Sequence, residues 1–153
     1  MGKEYEISTC ISGSFKFKPE IDLLIEEFQD LHVKVRSPEK GWLVIPRPIV
    51  VVAGFRPLPS ERNMSIRTVE DSFLKNIMDS TFLYVGSFGG YTGSSTNFEM
   101  GFALGNEKPI YANYKINNVE NDLEYEELLK QIKIMSPTET VKEVREKIES
   151  NLR

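Results

Sequence analysis

The stretch FLYVGSFGGYTGSSTNFEMGFALG, residues 82–105, decides the fold. Phe82–Ser87 opens with four apolar residues in a row, the pattern of a strand buried on both faces. Gly89 to Ser95 is a Gly/Ser-rich loop, with three glycines and four Ser or Thr hydroxyls between Gly89 and Thr96. Thr96–Leu104 is predicted helical, and Gly105 fits as its C-terminal stop. A buried strand, a short loop and a helix in that order form part of a parallel-sheet crossover.

The flanks repeat this alternation. Upstream, Ile66, Val69, Phe73 and Ile77 form an apolar stripe that predicts a helix over Ser65–Asp79. The β-branched run Ile49–Ala53, behind Pro48, predicts another buried strand, between loops at 38–48 and 55–63. A short extended piece is placed at Trp42–Ile45. At the amino end, Glu6–Ile11 reads as a strand, closed by the turn Ser12-Gly13-Ser14. Pro19 opens a helix with Ile21, Leu24, Ile25, Phe28 and Leu31 on one face, and His32–Arg36 reads as a strand. Downstream, Pro109–Ala112 is a fifth strand and residues 122–133 an acidic amphipathic helix. The capping box Ser136-Pro-Thr-Glu139 opens a last helix carrying Val141, Val144, Ile148 and Leu152. No internal repeat is present. The expected fold is a single-domain α/β structure, Rossmann/flavodoxin-like, with a parallel five-stranded sheet and helices on both faces.

Composition narrows the chemistry. The 153 residues are 40% apolar, or about 46–47% with the 10 glycines, and 27% charged, as in ordinary globular domains. Cys10 is the one cysteine and His32 the one histidine, so a disulfide within the chain, CxxC zinc sites and HExxH are all excluded. No EF-hand loop appears and no metal is expected. No P-loop and no GxGxxG occurs, so no cofactor is expected. A net charge of −4 argues against a nucleic-acid polymer as partner. No apolar run approaches ~18 residues, so no membrane span is expected. MGKEYEIS lacks a signal-peptide core, and position 6 lacks the Ser or Thr of a myristoylation motif. A cytoplasmic protein is the expectation. Catalysis has to rest on carboxylates, hydroxyls, Lys/Arg or backbone amides.

In parallel sheets ligands bind outside the carboxyl ends of the strands, which directs attention to loops 12–18 and 87–96. In the first, Ser12, Gly13, Ser14, Phe15 and Lys16 combine hydroxyls, a tight turn and a cation suited to a phosphate or sugar; a plain turn with solvated lysines is the alternative. In the second, Gly90, Gly93, Ser94 and Ser95 precede Glu99, read as standing in the first turn of its helix, where the positive end favours its ionised form. Such a carboxylate can attack a sugar carbon or stabilise an oxocarbenium-like transition state. Thr96-x-x-Glu99 equally reads as a capping box with a structural purpose. Asp71, two turns before Asp79, reaches the same edge if its helix overhangs it. Phe98 and Phe102 are read as core, Cys10 as a buried small residue, and Arg56, Arg62 and Arg67 as solvated.

Together these blocks resemble the nucleoside 2-deoxyribosyltransferase-like superfamily, which includes deoxynucleoside-monophosphate N-glycosidases. Cys10–Phe15 is similar to the family's first-strand segment, Asp71–Asp79 to its D-x7-D helix, and Phe98–Ala103 with Lys108-Pro-Ile110 to its ΦELGxA…GKPI block. The match spans about residues 7–112. The resemblance implies Glu99 as nucleophile, Asp71 as an assisting carboxylate, and Gly13, Ser14 and Lys16 at the sugar or phosphate. It implies cleavage or transfer at the N-glycosidic bond of a nucleoside or nucleoside 5′-monophosphate, and a homodimer or higher homo-oligomer. Gly93 stands where family members often carry Asp or Ser, which leaves a non-catalytic nucleotide-binding module as an alternative. The loop is also similar to the PGGxGTxxE loop of phosphoribohydrolases. A protein partner for the acidic C-terminal helices is a third reading.

Overall fold

The computed structural model describes residues 6–41, 58–61, 64–117 and 122–152. In chain order the elements are β1 (Ser8–Ser12), α1 (Lys18–Asp30), β2 (Lys34–Ser37), α2 (Ile66–Asp79), β3 (Phe82–Val85), α3 (Ser94–Gly105), β4 (Ile110–Ala112), α4 (Leu123–Leu129), β5 (Ile132–Ile134) and α5 (Pro137–Asn151). The five strands form one sheet of order β2-β1-β3-β4-β5, with every pair parallel. That order is the flavodoxin-like one, as expected, and its direction of winding reverses between β1 and β3.

The strands alternate faces with period two, and each face has its own core. Ile11, Phe82, Tyr84 and Tyr111 pack against α1 and α5 through Ile21, Phe28, Val141 and Val144. Cys10, Leu83, Val85, Ile110 and Ala112 face α2 and α3 through Ile77, Met100 and Ala103. Among the described residues no helix is long and apolar enough to cross a membrane.

Several local expectations are corrected. The acidic helix ends at Leu129 rather than 133, and Ile132–Ile134 pairs with β4 as the edge strand. Ile132 then packs into the α2/α3-side core, which a continued helix would not allow it to share with β4. The second strand starts at Lys34, two residues late, because His32 closes α1 with a φ of 62°, a left-handed conformation that His tolerates better than most residues. Leu152 is exposed and outside the core. The expected strand at Ile49–Ala53 and the extended piece at Trp42–Ile45 lie outside the described residues, as do Arg56 and Arg62.

Candidate functional site

A cavity of about 370 Å³ opens at the carboxyl ends of β1 and β2, beside the point where strand order reverses. Among the described residues, three stretches line it besides Ser37 and Pro38 at the end of β2. The β1–α1 turn supplies Ser12, Gly13, Ser14 and Phe15. The start of α3 supplies Gly93, Ser94, Ser95, Thr96 and Glu99. The amino-terminal half of α2 supplies Ile66, Val69, Glu70 and Phe73, with Leu58 and Glu61 beside it. The turn is tight for a steric reason: a Cβ on Gly13 would lie 3.0 Å from the Gly86 carbonyl oxygen and 3.2 Å from Ile21 Cδ1. Glycine lets the β1 and β3 ends meet and leaves the Ser12 and Ser14 hydroxyls at the cavity.

Glu99 sits on the cavity floor at 6% exposure. It accepts a hydrogen bond from the Ser12 hydroxyl (Oγ to Oε1, 3.1 Å) and is hydrogen-bonded to the Glu70 carboxyl. Burial raises its proton affinity most, the charge of Glu70 raises it next, and the Glu70 hydrogen bond adds to both, while Ser12 opposes them. Glu99 is therefore held well above the ordinary carboxylate range. Glu61, on the rim, accepts the Leu58 amide at 2.8 Å and is likewise raised, chiefly by burial.

This reverses two expectations about Glu99. Helix α3 begins at Ser94 with Gly93 as its N-cap, so Thr96 lies inside the helix and no Thr96–Glu99 capping box forms. Glu99 thereby falls in the second turn, where the field of the helix end has largely decayed. Its protonation is set by burial and by a second carboxylate, not by the helix.

Asp71 does not reach the cavity. Its side chain is 56% exposed and pairs with Arg67 (Nε to Oδ1, 3.0 Å). The helix edge does overhang the site, but the residue it presents is Glu70, about 100° around the axis from Asp71. Glu70 was missed, although a signal existed. It falls on the Ile66-Val69-Phe73 stripe, four residues after Ile66 and three before Phe73, where a charge inside an apolar face calls for a reason.

Two further residues stand apart from the cavity lining. Lys16 lies over the Tyr91 ring, Nζ to centroid 3.5 Å, and near Phe17 at 5.1 Å. Gly90 is buried in the turn after β3 with a φ of 80°, and a Cβ there would strike the Asn117 side chain. Lys18, the other cation of the first loop, is buried against Asp22 and the Glu39 carbonyl. Cys10 is fully buried beside Ser80, and burial pushes its thiol up to about 11, the behaviour of an inert core cysteine. Phe98, expected in the core, is 63% exposed on the outer side of α3, while Phe102 is partly buried against the core. Among the described residues no group of three or more His, Cys, Asp or Glu is placed to hold a metal ion. Two hydrogen-bonded carboxyls facing a hydroxyl-lined cavity can supply a nucleophile and an acid together.

No family model matches the chain, and no curated protein matches it. A solved structure of a conserved protein from Enterococcus faecalis V583 has a similar fold, with a TM-score of 0.59 at 11% identity. The match covers 94% of this chain and 99% of that one. At that identity the likeness speaks for the fold alone.

Proposed function

We propose that this protein cleaves, or transfers across, the N-glycosidic bond of a nucleoside or its 5′-monophosphate, with Glu99 meeting C1′ and Glu70 as its proton partner. The observation that carries this reading is the buried Glu99 beside the half-buried Glu70 at the carboxyl end of β1. Burial and the neighbouring Glu70 carboxyl favour the protonated form of Glu99. One carboxylate and one carboxylic acid are the groups that glycosidic cleavage uses.

Glu99 passes its proton to Glu70 as substrate binds, and the Glu99 carboxylate then attacks C1′ as the C1′–N bond breaks. The bonding electrons leave on the base, which takes its proton from Glu70. Water, or a second base, then displaces the sugar from Glu99 and returns a proton to Glu70. Ser12 orients Glu99 through its 3.1 Å hydrogen bond. Ser14, Ser94 and Ser95 offer partners for the sugar hydroxyls or the 5′ end. A 370 Å³ cavity lies within the size range of small-molecule sites.

The test is incubation with a panel of nucleosides and 5′-monophosphates, followed by chromatography for free base. Glu99→Ala, still folded by circular dichroism, is expected to lose at least about 100-fold in rate. Full activity in that variant removes Glu99 from the mechanism. The raised proton affinity of Glu99 favours a second reading, a binding module without turnover. Ligand-dependent thermal stabilisation with no base released would select it.

A further inference from the structure

The C-terminal segment lies beyond the blocks that carry the family resemblance, yet one of its side chains reaches the back of a cavity wall. Helix α3 starts without a side-chain cap, since its N-cap residue is Gly93. The first amides of any helix lack intrahelical partners. Something other than a cap has to hold the chain where loop becomes helix. Three side chains meet there. The Thr92 hydroxyl donates to Asn97 Oδ1 at 2.6 Å, and the Tyr125 hydroxyl donates to the same oxygen at 2.8 Å. Both lone pairs of that amide oxygen are thus occupied. The Asn97 main-chain amide donates to the Gly93 carbonyl at 3.0 Å. Asn97 therefore ties both residues just before the helix, and α4 holds Asn97 from outside. Thr92 is 2% exposed, Asn97 and Tyr125 are half-buried, and burial raises the Tyr125 phenol's proton affinity, so these bonds are partly screened from bulk water.

We propose that Tyr125 is a positioning residue of the cavity, setting the Gly93–Thr96 wall through Asn97 and Thr92. It touches no ligand. Its hydroxyl fixes where the wall stands, so the segment from α4 onward is part of the site although it supplies no lining residue among those described.

The experiment uses Tyr125→Phe, which removes the hydroxyl and keeps the ring. Hydrogen exchange is read at the first intrahelical amides of α3, Asn97 to Glu99, against those of β1, β3 and α1. The expected result is exchange about tenfold faster at Asn97–Glu99, the scale of one lost hydrogen bond, with the strands and α1 unchanged. Asn97→Ala should give a similar change, and adding Tyr125→Phe to it should give little more. The kinetic arm rests on the N-glycosidic reading: KM for the cleaved nucleoside should rise about tenfold with kcat held within about twofold. Unchanged exchange at Asn97–Glu99 in folded Tyr125→Phe overturns the proposal, as does full additivity with Asn97→Ala. If the wild-type protein releases no base, the N-glycosidic reading fails and exchange alone decides the role of Tyr125.

Discussion

Glu70 and Asp71 are neighbours in sequence with opposite surroundings. Glu70 faces Glu99 in the cavity, and Asp71 faces water and Arg67. Glu70→Gln should therefore lower base release by about 100-fold, the scale of a lost proton donor. Asp71→Asn should leave turnover within about twofold, since an exposed i,i+4 pair contributes only about 0.3–0.5 kcal/mol. Parallel kinetics on the two variants check this, and equal losses would contradict the geometry. Glu99 also makes a stability prediction. Its folded-state proton affinity is raised above an ordinary value of 4.5. A raised group contributes its stability at low pH and loses it as pH climbs from the unfolded value through the folded one. Folded protein should therefore weaken as pH rises above about 4.5, and Glu99→Gln, which carries no charge, should escape that loss. Thermal melts at pH 8 should place Glu99→Gln above wild type by about 2–4 °C per kcal/mol relieved. The gap should shrink toward pH 4.5, and a gap that widens in acid would reverse the sign of the argument.

The elements divide by how much of their fate is local. Phe82–Val85 and the Ile66-Val69-Phe73-Ile77 stripe were legible because their periodicity states which faces are buried. Ile132–Ile134 was not. Leu128, Leu129 and Ile132 fit a helical face, while Ile132 and Ile134 fit a strand, and three residues cannot decide between the periods. Pairing with β4 decides it. Ile132→Asp, at the partly buried position, should cost about 1–3 kcal/mol, and Ile134→Asp, at a 47% exposed one, under about 0.5. Urea denaturation of both variants checks the assignment, and equal costs would contradict it. The start of α3 carries the same lesson for the site. Thr96-x-x-Glu99 matches a capping box in sequence, but Ser94 and Ser95 extend the helix past it. That shift of the N-cap from Thr96 to Gly93, three residues, moves Glu99 from the field of a helix end to the company of a second acid.

At the scale of the molecule, strand order does what no single residue does. The chain winds outward from β1 to β2, then back across it to β3, β4 and β5. The turn after β1 and the start of α3 are brought together at that reversal, with the edge of α2 above them. That loops 12–18 and 87–96 meet at the carboxyl edge, where the cavity opens, was legible because the rule for parallel sheets needs only the alternation of elements. The partner of Glu99 was not, because which residue of α2 overhangs the edge depends on helix rotation fixed by packing. The central claim is that the two acids joined there act on an N-glycosidic bond. It is tested most directly by chromatographic assay of free base from a nucleoside and 5′-monophosphate panel, with wild type and folded Glu99→Ala side by side. Base released by wild type and reduced at least about 100-fold in Glu99→Ala is the predicted result. No base released from any member of the panel, or equal release by both proteins, would contradict it.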